Sequence, residues 1–185
     1  KTDVYCFEGD TGRILLSMGG GAPGQLHFAG TGYTAANYDS LGNISAEGAI
    51  AAWVYLDNLN PATLVSKAGS YGLSLSADST FRLSVGASTI NSSVKVKDST
   101  WYYVAGTWDA AGMRIYVDGT LSSNTTVVSA PVNTNAVVMG TFHGILRDVS
   151  LWRIAISGSA PSNQYNGKEE GLVGFWQLND GVGGE

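Results

Sequence analysis

The stretch WYYVAGTWDAAGMRIYVDG, from Trp101 to Gly119, constrains the fold more than any other part of the chain. Met113, Ile115 and Val117 alternate with Arg114, Tyr116 and Asp118, the period-two pattern of a strand with one face buried. DAAG at Asp109–Gly112 separates it from the equally strand-like WYYVAGTW, and DG at Asp118–Gly119 turns the chain again. The stretch is therefore a hairpin running into a third strand. Its aromatics lie inside strands and read first as packing residues. Trp108, next to Asp109 at the hairpin tip, is the one expected to be partly exposed, either as a stacking platform or at the edge of the core.

The same grammar recurs along the chain. QLHFAG, AIAAWVYL, ATLVSKA, YGLSLSAD, FRLSVGA, AVVMG, ILRDVSLWRI and GLVGFWQL are short strand candidates separated by Gly, Asn, Asp or Pro. Strands at this spacing, without sustained helical periodicity, predict an all-β fold, a two-sheet sandwich or barrel. One helical turn is expected around Ser157–Tyr165. No linker or low-complexity segment interrupts the 185 residues, which are expected to form one domain, 1–185, large enough to bury a core without staples.

Composition narrows the function classes. Charged residues make up 14% of the chain and the net charge is −5, so no basic footprint for nucleic acid or an anionic membrane is present. The longest apolar run, Ala49–Leu56, is too short to span a bilayer as a helix, and no membrane insertion is expected. The chain opens on KTDVYCF without a signal peptide, as a mature or trimmed protein would. Cys6, the single cysteine, reads as a buried small hydrophobe. Sequons at Asn43, Asn91 and Asn124 are close to the number chance would supply and argue only weakly for secretion.

Catalytic signatures are sparse. GGGAPG at Gly19–Gly24 satisfies a dinucleotide fingerprint formally, but Pro23 and the strand-like QLHFAG after it make it a loop. The only histidines are His27 and His143, and there is no G-x-S-x-G elbow and no Cys/His set for zinc. Glycoside hydrolysis needs two carboxylates across one bond. Glu8 and Asp10 are the only acidic pair two residues apart, and they sit in an expected turn. A non-enzymatic role is therefore favoured. Calcium leaves a fainter trace, because it accepts scattered carboxylates, Asn side chains and carbonyls. Asp39 beside Asn37, Glu47 beside Asn43, and Asp148 are the candidate contributors, each also explicable as an ordinary turn acid.

Taken in order, IAAWVYLD, LVSKAGSYGLSLS, WYYVAGTWDAAGMRIYVDG, FHGILRDVSLWRIAIS and GLVGFWQLNDGVGG resemble laminin-G-like, concanavalin A-like jelly-roll domains from about Leu26 to Gly183. The resemblance implies two antiparallel sheets face to face, one of them concave, with the N- and C-terminal strands close together. Its members often bind sugars, frequently with calcium at the rim; others bind proteins or space domains. Phe28–Ala29–Gly30 stands where many relatives read Phe-Asp-Gly, and Arg147–Asp148 where many have Asp-Glu, so two carboxylates of the family pattern are missing. Trp176–Gly183 (WQLNDGVG) resembles Tyr5–Gly12 (YCFEGDTG), as a junction between tandem copies would.

The leading expectation is thus a secreted or cell-surface carbohydrate-binding module or lectin, with sugar held by rim loops and Ca²⁺ as its candidate ion. The candidate sugar contacts are Asn37, Tyr38, Asp39, Asp57, Asn58, Asn60, Asn91, Trp108 and His143. The alternative is a protein-binding or adhesion module of a larger extracellular chain, and behind it a glycan-active hydrolase on the same fold.

Overall fold

The computed structural model describes residues 3–8, 14–19, 27–35, 41–160, 165 and 167–178. In chain order the strands are β1 (Asp3–Glu8), β2 (Ile14–Gly19), β3 (His27–Ala29), β4 (Tyr33–Ala35), β5 (Gly48–Leu56), β6 (Ala62–Lys67), β7 (Tyr71–Leu75), β8 (Thr80–Val85), β9 (Ser88–Lys95), β10 (Trp101–Asp109), β11 (Gly112–Val117), β12 (Thr120–Asn124), β13 (Val137–Thr141), β14 (His143–Trp152) and β15 (Leu172–Trp176). Among the described residues there is no helix. The expected turn at 157–165 falls partly on residues outside the description, and 157–160 and 165 are not helical. The side chain of Cys6 also lies outside it.

The strands form two sheets packed as a sandwich. One has nine strands in the order β1-β2-β15-β14-β5-β10-β11-β12, with β3 pairing the first half of β14; the other has six, β4-β13-β6-β7-β8-β9. Pairing is antiparallel except where β2 runs parallel to β15, which sets the β1–β2 pair beside the last described strand. All eight strand candidates outside the hairpin correspond to observed strands. β1, β2, β4 and β9 are additions; in β9, STINSSVK, polar, half-exposed residues carry no apolar alternation to reveal it.

The hairpin behaves as its sequence dictates. Asp109 pairs with Gly112 across the two-residue loop Ala110–Ala111, and Trp108 therefore pairs with Met113. At Asp118–Gly119 both residues have positive φ, +48° and +79°, the signature of a type I′ turn. The Asp118 carboxylate accepts from the Tyr103 amide at 2.8 Å and locks that turn to β10.

Between the sheets lies one main core. Ile50, Ala52, Val54 and Leu56 of β5 and Tyr102, Val104 and Trp108 of β10 face Leu73, Phe81 and Leu83 of the smaller sheet. Trp108 is fully buried, stacks on Tyr71 at 5.5 Å and donates its indole N–H to the Ser45 carbonyl at 3.0 Å. The expectation of a partly exposed Trp108 is corrected: pairing with Met113 gives both residues the same inward face. Lys67, also fully buried, donates from Nζ to the Asn135 carbonyl at 2.5 Å and ties the end of β6 to the long β12–β13 connection.

The outer face of the larger sheet is not bare. After β14 the chain crosses back over it and lays Ile156 and Tyr165 against Ala49, Ala51, Ala105, Trp152 and Phe175. Gly158 lets this strap press onto Tyr116; a Cβ there would come within 1.9 Å of the ring. Among the described residues the strap covers one half of the face and leaves the other open.

Candidate functional site

The open half of that face carries the site. In a strand the side-chain period is two, and residues directly opposite across paired strands share a face. His27, Ile145, Tyr55 and Trp101 lie opposite one another on β3, β14, β5 and β10. The next outward row holds Arg147, Trp53 and Tyr103. Core-facing neighbours Val54, Leu56 and Tyr102 alternate with them, so the rows are turned out by parity.

The result is a half-exposed aromatic strip of Trp53, Tyr55 and Trp101, with Tyr103 buried at its inner end beneath the strap. The Tyr55 and Trp101 ring centroids are 5.5 Å apart at 52°, and those of Trp53 and Tyr103 are 5.5 Å apart at 59°. The Arg147 guanidinium sits 5.0 Å from the centre of the Trp101 ring, a cation–π contact that fixes both side chains. Among the described residues no carboxylate oxygen lies within 4.0 Å of the Arg147 side chain, so its donors keep room for a ligand.

At the rim beside this strip, loops from three elements converge. The Asp57 amide donates to the His143 carbonyl at 3.0 Å, and the Gly30 amide to Phe142 at 2.9 Å. His27 Nε2 meets Asp57 Oδ2 at 2.7 Å, with both side chains partly exposed. Asn58 accepts from the Asn60 amide at 3.0 Å in an Asx turn that orders the β5–β6 loop. Gly30, at φ +86°, places its backbone where a Cβ would lie 3.2 Å from the His143 ring. Asp57, Asn58, Asn60 and His143 are thus brought to one rim, although they are scattered in sequence.

The remaining expected contacts lie elsewhere. Asn91 accepts from Arg82 Nε at 2.9 Å on the outer face of the smaller sheet, away from this rim. Asn37, Tyr38 and Asp39 lie outside the described residues. Glu47 is exposed in the loop before β5, at the opposite rim. Asp148 occupies the bulge of β14, between the pairings Arg147–Trp53 and Ser150–Ala51, with φ +52°. Glu47 precedes by about five extended positions, roughly 16 Å, the part of β5 that this bulge faces. These two therefore do not share an ion, and among the described residues no three His, Cys, Asp or Glu side chains gather as a metal site would need.

Electrostatics sharpen the boundary between strip and strap. Burial pushes the Asp148 carboxyl above the usual carboxylate range, against the pull of neighbouring Arg147. Burial also drives Tyr103 far above an ordinary phenol, with Tyr165 and Asp148 adding to it. Beneath the strap the Thr107 and Ser150 hydroxyls and the Trp152 indole N–H are buried without hydrogen-bond partners among the described residues. Trp53, Tyr55, Trp101 and Arg147 were not among the sugar contacts expected from sequence, where Arg147 was noted only as a departure from the family pattern. The signal was present in register: Trp101 is seven positions from Trp108 on the same strand, and so faces the other way.

Sandwich and strand order define a two-sheet antiparallel jelly-roll domain. Residues 28–160 match the laminin G family described as the concanavalin A-like lectin/glucanases superfamily, and the chain belongs to it. No curated protein sequence matches the chain significantly. Among solved structures, a candidate carbohydrate-binding protein from Bacteroides ovatus is similar at TM-score 0.61 and 17% identity, over 85% of this chain and 49% of that one. Domains LG4-5 of the mouse laminin alpha1 chain give TM-score 0.58 and 18% identity, over 80% and 46%. Domain 4 of the arabinanase AbnA from Geobacillus stearothermophilus, in complex with arabinotriose, gives 0.51 and 16%, over 62% and 64%. The chain thus spans about half the length of the first two, and at these identities the likeness is one of fold.

Proposed function

We propose that the protein is a non-catalytic carbohydrate-binding module whose glycan lies on the open half of the nine-stranded sheet. The observation that carries this reading is the outward strip of Tyr55, Trp101 and Trp53, with Arg147 stacked on it and a polar rim beside it. Flat rings offer apolar area to the C–H face of a pyranose, while a few placed polar groups set orientation. Here Arg147 donates, and Asp57, His27, His143 and Asn60 serve the hydroxyls of the sugar nearest the rim. In this reading the rim loops bind together with the sheet face continuous with them.

The spacing of acids favours binding over hydrolysis. Asp57 aligns with His143, and Asp148 stands five positions further along β14, roughly 16 Å away. Two catalytic carboxylates act across about 5–10 Å. Calcium is a separate proposal, resting on ligands other than a shared Glu47–Asp148 set. An extracellular location, a single domain over 1–185 and tandem copies belong to the same proposal. Among the described residues no helix is long and apolar enough to cross a membrane.

Glycan-array binding of wild type, Trp101→Ala and Tyr55→Ala, with calcium and with a chelator, tests the reading. Binding to a defined sugar class that both substitutions weaken at least tenfold supports it. Loss on chelation would add calcium to the site. Full binding by both variants would sink the sheet-face reading, and no binding by the wild type would turn attention to protein partners.

A further inference from the structure

The aromatic strip carries one cation whose charge the protein leaves unanswered. Arg147 lies on β14 and Trp101 on β10, with β5 between them. The side chain must therefore cross β5, roughly 10 Å of sheet, to reach the ring. It starts opposite Trp53 and ends against Trp101, whose own cross-strand partner is Tyr55. The half-buried guanidinium is thus held over the middle of the strip, between two aromatic rows. A cation–π contact engages its charge through the ring face and leaves its N–H donors unspent.

Asp57, Asp118 and Asp148 border the strip, and each is otherwise held. Asp57 meets His27 Nε2 at 2.7 Å, and Asp118 accepts from the Tyr103 amide at 2.8 Å. Asp148 follows Arg147 directly, but it sits half-buried in the β14 bulge, where burial pushes its carboxyl above the usual carboxylate range. Among the described residues no carboxylate oxygen comes within 4.0 Å of Arg147, whereas Arg114 has its ion pair with Asp109. A cation set among rings attracts an anion more strongly than one in open water, because less solvent screens it.

We infer that the glycan held on this strip carries a carboxylate, as a uronic acid unit does, and that Arg147 is the group that selects it; the inference rests on the sheet-face reading above. The planar fork of a guanidinium matches the two oxygens of a carboxylate with two parallel N–H donors. One cation suits one carboxylate in the bound segment. A densely sulfated chain would need several, and a protein of net charge −5 repels such a polyanion at a distance. The rings and the polar rim then take the neutral parts of the same chain.

The test is an array of glucuronoxylan, hyaluronan, xanthan and polygalacturonate, each beside its carboxyl-reduced form, with dextran sulfate as the sulfated probe. At least one acidic glycan should bind about tenfold more tightly than its reduced form, and Arg147→Gln should bring the two within about twofold. Arg147→Lys, which keeps the charge without the fork, should recover only part of the preference. Equal binding of acidic and reduced forms by the wild type overturns the inference and leaves the sheet-face module standing. A preference kept intact in Arg147→Gln does the same. Tighter binding of dextran sulfate than of every uronate would replace the carboxylate by a sulfate. No binding to any glycan overturns both readings together. The wild-type comparison of acidic and reduced forms stands whether or not the variants fold.

Discussion

Trp101 and Trp108 stand on one strand with opposite fates, and substitutions should separate them. Trp108→Ala removes a fully buried ring and the hydrogen bond to Ser45, and should cost about 3–5 kcal/mol of unfolding free energy, read by urea denaturation. Trp101→Ala should leave stability within about 1 kcal/mol and weaken glycan binding at least tenfold, about 1.4 kcal/mol. The sequence carried this distinction in an indirect form. WYYVAGTW is apolar on both faces, so the strand itself does not say which way it turns; only pairing with Met113, in a hairpin of two loop residues, does. A second residue-scale prediction concerns Asp148. Its folded pKa is raised, so its contribution to stability is fullest below the unfolded carboxylate value and is lost as pH rises through the folded one. Asp148→Asn should therefore stabilise the protein at neutral pH, with the gain shrinking as the pH falls towards 4. Thermal melts across that range would show it, and a gain independent of pH would contradict it. Asn also tolerates the left-handed backbone of the bulge.

At the scale of elements, two glycines test what each turn requires. Gly119 at φ +79° has open space around its α-carbon, so Gly119→Ala meets only backbone strain, about 1 kcal/mol. Gly140, at φ +78°, would drive a Cβ to within 2.0 Å of the Phe28 ring, which itself stacks on Phe142. Gly140→Ala should cost clearly more and should disturb β3, hence the His27–Asp57 contact, as an NMR spectrum of the two variants would reveal. The elements themselves were legible where apolar residues alternate, as at Met113, Ile115 and Val117, or where DG marks a turn. They were illegible at β9, whose Ser, Thr and Asn residues lie half exposed at a sheet edge and bury too little to impose a pattern. The rim was half legible: Asp57, Asn58, Asn60 and His143 read as polar loop residues, but their meeting depends on β3 pairing with β14, more than a hundred residues away. Asn91 has the same residue type in sequence, yet the register of β8 and β9 places it on another face.

Over the whole molecule, the central pairings are distant in sequence: β3 with β14, β5 with β10 and β14, β2 with β15. Such a topology folds slowly, on the scale of milliseconds to seconds, because long loops must close before contacts repay them. Stability should be graded accordingly. β5 and β10 are paired on both sides, backed by the core within and covered over part of their length by the strap without, so their amides should exchange most slowly with deuterium. Faster exchange there than in β9 would contradict this architecture. The place of β14 has a consequence for biosynthesis. On a ribosome, β5 and β10 emerge and can pair well before residues 143–152 exist, and until then one long edge of GAIAAWVYL has no partner. That edge is apolar on both faces, the kind of template on which nascent chains join one another. Substitutions that weaken β14 should therefore first appear as lost yield of soluble protein, in cells making it at high rate, before any purified variant shows a defect in binding.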